Sequence, residues 1–175
     1  MKRLLTCALL ALPSFAGDPW KTPLLQWTQQ DAAQILNFSP WAKPDGRINA
    51  IVRWDSARPV RLAIEKVNGK PTITGDQSYC AIAVVGVAVA ERSPKPEAYL
   101  KATGRNRIQS IETRILDNSV LFLFPRTELL EPIVVRFPLG LKLGNDVEFA
   151  ARIGSVDVKQ KFSLRGMTYL GKLEM

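Results

Sequence analysis

Few residues in this chain of 175 are suited to acid–base or nucleophilic chemistry. It contains no histidine and two cysteines, which argues against Ser-His and Cys-His nucleophiles and against histidine-ligated metal sites. Cys7 lies in an apolar N-terminal segment, and Cys80 stands among small apolar residues that favour a buried thiol. One cysteine in the rest of the chain forms neither a disulfide framework nor a thiolate zinc site. We expect no metal ligand set, and any catalysis would use carboxylate, lysine, tyrosine or hydroxyl groups.

Paired carboxylates are the groups that glycoside hydrolysis requires, and they give one hypothesis. The aspartates and glutamates are scattered, and Asp31 and Asp55 each stand where a helix is expected to begin. No spacing brings two of them together, so a carboxylate-dependent hydrolase of envelope polymers is an alternative and not the leading hypothesis. Neither Gly-x-Ser-x-Gly nor Ser-x-x-Lys occurs, which argues against serine acyl-enzyme chemistry.

The segment 166–173 (GMTYLGKL) comes close to a phosphate-binding loop. Leu173 takes the place of the serine or threonine that would hold magnesium, so the match fails on its chemistry. We therefore expect no nucleotide cofactor and interpret Thr168 to Leu173 as a last strand at a sheet edge.

A positive charge suggests another hypothesis, the weak binding of a polyanion through a basic face. The chain carries 24 lysines and arginines against 16 aspartates and glutamates, a net charge of +8. Two of the basic positions in the predicted hairpin have carboxylates nearby, which favours a solvated surface. No nucleic-acid-binding motif is present, so no nucleic-acid partner is expected. Four tryptophans lie within the first 54 residues, and burial beside the sheet is the simpler interpretation for most of them. The candidate binding residues from this region are Trp41, Arg53, Asp55, Arg58 and Arg61.

The first 16 residues have the pattern of a secretory signal peptide. Lys2 and Arg3 precede a mostly apolar run over residues 4–12, and residues 14–16 (SFA) form a small-x-small cleavage site. The run is far shorter than the roughly 20 apolar residues of a membrane span. Cleavage after Ala16 leaves 159 residues (175 − 16) and removes two positive charges, so the net charge falls from +8 to +6. We expect an exported protein, periplasmic or secreted, with no membrane span in the mature chain.

Hydrophobic spacing divides the mature chain into a lead-in with one helix, residues 17–45, and a single α+β domain, residues 46–175. Residues 17–27 are expected to be extended, and Thr28 is expected to cap a helix of about ten residues that ends at Ser39-Pro40. Residues 43–46 have turn chemistry. A strand over 47–54, an amphipathic helix over 58–67 capped by Asp55-Ser56, and a buried strand over 79–90 together suggest a βαβ crossover.

The second half of the chain is mostly β-structure after a short helix that Ser93-Pro94 opens. Strands are expected over 108–116, 120–124 and 133–137. The clearest pattern is a hairpin over 147–165 with the two-residue turn Gly154-Ser155. Pairing the residues on either side of the turn fixes the register and sets opposite charges across from each other. The expected pairs are Ile153 with Val156, Arg152 with Asp157, Glu148 with Lys161, and Val147 with Phe162.

Four blocks of sequence carry a resemblance. Residues 26–41 (QWTQQDAAQILNFSPW), 52–61 (VRWDSARPVR), 120–126 (VLFLFPR) and 162–173 together resemble a group of uncharacterised secreted proteins from acidobacteria-like genomes. The resemblance implies export and a single domain, and it implies no activity, cofactor or catalytic residue. The segment 68–78 departs from the group, because it is longer and more polar than expected.

These observations favour an α+β fold in which six to eight mainly antiparallel strands form a sheet or sandwich, with two N-terminal helices. An immunoglobulin-like β-sandwich is the alternative, and the helix at 58–67 makes it less suitable. The leading functional hypothesis is an exported, non-catalytic module of the cell envelope that binds a protein or a surface polymer.

Overall fold

A computed structural model describes residues 17–69, 78–90, 93–102, 106–126 and 146–175. Within these ranges the chain forms two helices and eleven strands, preceded by two short 3-10 turns at Pro19–Lys21 and Leu24–Gln26. The expected strand over 133–137 lies outside the described residues. The elements are α1 (Gln29–Asn37), α2 (Arg58–Asn68), β1 (Ala42–Asp45), β2 (Ala50–Trp54), β3 (Tyr79–Val85), β4 (Glu97–Ala102), β5 (Arg107–Gln109), β6 (Glu112–Leu116), β7 (Ser119–Pro125), β8 (Asp146–Ile153), β9 (Val156–Ser163), β10 (Thr168–Tyr169) and β11 (Lys172–Leu173).

Two antiparallel sheets share one core. The first has the order β1-β2-β3-β7-β6 and the second β5-β4-β8-β9, while β10 and β11 form a separate two-stranded hairpin. Rings from the two sheets meet between them, with centroids 5.8 Å apart both for Phe122 and Phe149 and for Trp54 and Phe162. The α+β prediction is confirmed, with more strands in the described ranges than the six to eight expected. No helix in those ranges has the length and apolar character needed to cross a membrane.

Helix α1 begins as the sequence predicts. The side chain of Thr28 accepts from the backbone N–H of Asp31, and the Asp31 carboxylate accepts from the backbone N–H of Thr28 at 2.7 Å. This reciprocal capping box satisfies two N–H groups that the start of a helix leaves without partners. Ala32 and Ile35 are fully buried, so one face of α1 joins the core.

Helix α2 begins differently from the prediction of an Asp55-Ser56 cap. Its N-cap is Ala57, with no capping side chain and a proline in its first turn. Both expected caps are held elsewhere: Asp55 accepts from Arg53, and the hydroxyl of Ser56 accepts from the backbone N–H of Ala81 at 3.0 Å. Gly69 ends the helix in the left-handed conformation (φ 65°), as its position predicts.

The expected βαβ crossover is wrong, because β2 and β3 are antiparallel. Arg53 stands opposite Ala83 in this pairing. The backbone N–H of Ser56 donates to the carbonyl of Ala81 at 3.3 Å, so β3 begins beside the end of β2. Helix α2 lies against α1, where Gln29 Nε2 donates to the carbonyl of Lys66 at 2.9 Å.

Two predictions between residues 93 and 116 are also corrected. A helix is predicted from Ser93, but the chain forms the strand β4 there instead. Pro96 interrupts a helical backbone, and the alternate residues Ala98 and Leu100 are buried in the core. The expected strand over 108–116 is two strands in different sheets. Ser110 N–H donates to Ala98 in the second sheet and Ile111 N–H to Leu123 in the first, so the chain changes sheets between these residues.

Both ends of the described chain differ from expectation in detail. Of the predicted turn 43–46, residues 43–45 belong to β1, which pairs with β2, and residues 46–49 form the connecting turn. Pro44 is tolerated there because β1 is an edge strand. The expected last strand is the β10–β11 hairpin, where Leu170 (φ 48°) and Gly171 (φ 80°) make the turn. The lead-in expected to be extended contains the two 3-10 turns.

The hairpin of β8 and β9 has the predicted register. Ile153 pairs with Val156, and Glu148 stands opposite Lys161. The ion pair that forms is diagonal, since Lys159 Nζ lies 3.2 Å from Glu148 Oε2. Cross-strand charges therefore reach the diagonal neighbour as well as the residue directly opposite. The other predicted pairs, Arg152 with Asp157 and Val147 with Phe162, are confirmed.

Candidate functional site

The first sheet is apolar on both of its faces. In β2, β3 and β7 one set of alternate residues, such as Val52, Ile82 and Phe122, belongs to the core shared with the second sheet. Side chains alternate between the faces of a strand, so the intervening residues lie on the opposite face. They form no part of that core cluster. We call them the outer apolar face: Ala42, Ile51, Ala81, Ala83, Val85, Leu121 and Leu123.

Solvent reaches the outer apolar face unevenly. Ala83 is buried between Arg53 and Leu121, its partners in the neighbouring strands, whereas Leu121 itself is half-buried. Tyr79 and Leu116 at its borders are 36% and 54% exposed. Antiparallel sheets commonly have one face on the core and a polar face toward water. A second apolar face is a departure from that pattern.

Two arginine–carboxylate pairs lie on this face, since Arg114 and Glu112 of β6 stand opposite Leu121 and Leu123. Arg53 in β2 and Asp55, just past the strand, form a bidentate contact: Nε to Oδ1 at 2.6 Å and the terminal nitrogen to Oδ2 at 3.2 Å. Their side chains are 15% and 21% exposed. The two parallel hydrogen bonds fix the guanidinium plane among apolar neighbours. Arginine in such a setting is common in the energetically important centre of protein interfaces.

The structure brings two of the five predicted site residues together, Arg53 and Asp55. Trp41 is fully buried, and its indole N–H donates to the backbone carbonyl of Glu174. Arg58 is exposed at the start of α2, and Arg61 is half-buried one turn later. The predicted set therefore divides between the core, the outer apolar face and α2.

The outer face of the second sheet is charged, whereas that of the first sheet is mainly apolar. Arg152 in β8 stands between Glu97 in β4 and Asp157 in β9, and Glu148 lies beside Lys159. Charges of both signs alternate across the three strands, a pattern typical of a solvated sheet surface. We call this surface the charged face: Glu97, Tyr99, Lys101, Glu148, Ala150, Arg152, Asp157, Lys159 and Lys161.

Three of the basic residues in the region of the supposed polyanion site lie beside carboxylates. Arg47 lies 2.8 Å from Asp45. Lys159 forms an ion pair with Glu148, and Arg53 forms one with Asp55. Local pairing of this kind weakens the field that would attract a polyanion. The geometry therefore gives the polyanion hypothesis no specific support.

Carboxylates of the described residues give the hydrolase alternative no support either. Asp45 is 3% exposed, and a hydrogen bond from the Arg47 side chain lowers the pKa of its carboxyl against the opposing effect of burial. Arg114 likewise lowers the pKa of Glu112. A general acid in glycoside hydrolysis needs a raised pKa, the opposite direction. Within the described part of the chain no three Cys, Asp or Glu side chains gather as a metal site would require.

Comparison of the chain with protein-family models, with curated proteins and with solved structures finds no match. The resemblance to secreted proteins of acidobacteria-like genomes therefore stays a prediction.

The apolar residues of the site are not among the residues predicted from sequence. Ala81, Val85 and Leu121 lie in runs that are apolar at nearly every position, over 79–90 and 120–124. Such runs are typical of strands covered on both faces, and Ala83 and Leu123 on this face are indeed buried. The useful signal is the contrast with β8 and β9, where apolar and polar residues alternate.

Proposed function

We propose that the mature chain is an exported, non-catalytic module of the cell envelope that binds a protein through the outer apolar face. The observation that carries the proposal is the difference between the two outer surfaces of one sandwich. One is a mixed array of charges, and the other is a mainly apolar surface that holds two arginine–carboxylate pairs, Arg53 with Asp55 and Arg114 with Glu112. Interaction sites on soluble proteins often combine an apolar patch with polar groups that fix orientation.

A protein suits this surface better than a charged polymer. Half-buried aliphatic side chains such as Ile51, Val85 and Leu121 offer dispersion contacts and apolar area, which a flat protein surface can match. The Arg53 guanidinium is held by Asp55, so little free charge is left to attract a polyanion. We therefore expect complex formation to resist moderate salt.

Export rests on the first 16 residues and on the composition of the remaining chain. A signal peptide pattern precedes residue 17, and Cys80 is the cysteine that would remain after cleavage. The Cys80 thiol is free and fully buried, so export into an oxidising compartment would leave it without access to a partner cysteine.

The test is capture of a partner from a detergent extract of the source cell envelope with immobilised residues 17–175. Three forms are compared: the unmodified chain, Ala81→Lys and Ala150→Lys. Both substitutions place the same side chain at the middle of a sheet, Ala81 on the outer apolar face and Ala150 on the charged face. A lysine can extend its amine to solvent from either site, which limits the loss of stability.

We expect one protein at stoichiometric yield, resistant to about 0.5 M salt, with the unmodified chain and with Ala150→Lys. Ala81→Lys should lose it, because a charge in an apolar interface is costly to desolvate. Equal capture by both variants contradicts the proposed surface. Salt-labile anionic material alone contradicts binding of a protein. N-terminal sequencing of the exported chain from Gly17 tests the signal peptide, and an uncleaved cytoplasmic chain contradicts export.

A further inference from the structure

Among the residues that the structure describes, β6 is the most open edge of the two main sheets. Edges β1 and β9 lie together, where Lys43 Nζ donates to the carbonyl of Lys161 at 2.6 Å, and the edge β5 has three residues. In the described ranges β6 pairs with β7 alone. The side chains of Ile111, Ile115 and Leu116 are 56%, 52% and 54% exposed. An exposed edge with apolar side chains is a template for pairing with another strand.

The sequence of this edge is complementary to itself. Residues 111–115 read Ile-Glu-Thr-Arg-Ile. If two copies pair antiparallel about a two-fold axis at Thr113, Glu112 of each copy stands opposite Arg114 of the other. The same register sets Ile111 opposite Ile115 and Thr113 opposite Thr113. The pairs are then two charge matches, two apolar matches and one threonine pair on the axis, all of them favourable cross-strand combinations.

Neighbouring registers lack this complementarity. Residues directly opposite in an antiparallel pair share one face, so a two-fold axis perpendicular to the sheet must pass through a residue. An axis at Arg114 would oppose two arginines and set Glu112 against Leu116. An axis at Glu112 would oppose two glutamates. The charges therefore select the axis at Thr113.

We propose that two copies of the chain associate through β6 in this register, as a two-fold symmetric dimer. The five strands of each first sheet then form one continuous sheet of ten. Because the axis is perpendicular to the sheet, the two outer apolar faces lie on the same side of the dimer. Alternate residues of β6 supply the backbone hydrogen bonds to the second copy. This proposal does not depend on the proposed function of the outer apolar face.

The ion pair within β6 of a single copy is compatible with the ion pairs proposed between the two copies. Arg114 Nε lies 2.6 Å from Glu112 Oε1 within the strand, and both side chains are about half exposed, at 57% and 48%. In the dimer the two glutamates and two arginines form a four-charge cluster around Thr113. Each charge keeps its partner in the strand and gains one across the axis.

The experiment is a charge exchange followed by sedimentation-velocity analysis of mass. Arg114→Glu leaves two glutamates on the edge, and Glu112→Arg leaves two arginines, so each variant alone should repel its own copies. We expect the unmodified chain to be dimeric at about 100 μM and each variant to be monomeric. An equimolar mixture of the two variants should recover the dimer, since glutamates then face arginines at both positions. Arg152→Glu on the charged face is the control and should stay dimeric.

A cysteine at the axis provides a second measurement. Thr113 faces its own copy, so Thr113→Cys should form an intermolecular disulfide under mild oxidation, and Gln109→Cys, on β5, should not. A monomeric unmodified chain overturns the proposal. A dimer that survives both single charge changes, or a mixture that stays monomeric, also overturns this interface. Circular dichroism of each variant confirms that the comparison is between folded proteins.

Discussion

The indole N–H of Trp41 donates a hydrogen bond of 2.7 Å to the backbone carbonyl of Glu174, 133 positions later in the chain. Trp41 is fully buried and precedes β1, while Met175 beside Glu174 is 1% exposed. This bond joins the N-terminal strand to the last residues. Trp41 is one of the predicted binding residues, but its indole is used in this contact inside the core.

Trp41→Phe should destabilise the fold by about 1–2 kcal/mol more than Trp54→Phe. Both substitutions remove the same atoms from fully buried rings, but only Trp41 Nε1 has a hydrogen-bond partner among the described residues. Without that donor, the acceptor oxygen of the Glu174 carbonyl loses its hydrogen bond from Trp41. Chemical denaturation of the two variants measures the difference, and equal losses would contradict the role of the bond.

Thr28→Ala should lower the free energy of unfolding by about 1 kcal/mol, because it removes the Thr28 side chain that accepts from the Asp31 N–H. Thr28→Ser keeps the hydroxyl and should retain most of that stability. Denaturant midpoints of the two variants give the comparison. A serine variant as unstable as the alanine variant would show that the methyl group matters and the cap does not.

The Cys80 thiol should react slowly with alkylating reagents while the protein is folded. Burial raises the pKa of this thiol from 9.0 to about 11, and the charge of Arg126 opposes the rise only in part. The unfolded thiol ionises near pH 9, so the group does not affect stability below that pH. Between pH 9 and 11 it should lower the free energy of unfolding by about 2–3 kcal/mol in total.

Cys80→Ala provides the control, since lysines and tyrosines titrate over the same range. Its free energy of unfolding should decline less steeply between pH 9 and 11 than that of the unmodified chain. Parallel pH profiles, or fast alkylation of the folded protein at pH 8, would contradict the buried thiol.

Asp45→Asn should destabilise the protein at pH 7 by about 1 kcal/mol, because Arg47 then loses its charged acceptor. The side chain of Arg47 lowers the pKa of Asp45, so its stabilising effect is present above the ordinary carboxyl range and is lost as the pH falls through the lower folded pKa. Urea titrations between pH 2 and 7 should show less acid sensitivity in Asp45→Asn. An unchanged acid response would contradict the pairing.

Elements with strong local patterns were predictable from sequence. The β8–β9 register follows from alternation and from the Gly154-Ser155 turn, and each predicted pair is present. The capping box of α1 is equally local, since Thr28 and Asp31 need only each other. Local chemistry decides such elements before any tertiary contact forms.

Elements that depend on contacts between distant residues differ from their prediction. Ser56 is predicted to cap α2, but its hydroxyl accepts a hydrogen bond from the backbone N–H of Ala81 in β3 instead. The segment 108–116 looks like one strand, and backbone hydrogen bonds to two different sheets divide it between Ser110 and Ile111. The candidate site shows the same dependence on distant contacts. Arg53 and Asp55 are close in sequence and are among the predicted site residues. Leu121 comes near them only because β2 and β7 both pair with β3. Tertiary partners override local propensity in each case.

Hydroxyl-radical footprinting of the chain with its captured partner tests the central claim most directly, because it reports the solvent exposure of individual side chains. Tyr79 and Leu116 border the outer apolar face and are exposed in the free chain, and Tyr99 on the charged face is half-buried. We expect the partner to slow oxidation of Tyr79 and of Leu121 several-fold while Tyr99 is unchanged. Protection of Tyr99 with no change at Tyr79 and Leu121 would contradict binding through the outer apolar face.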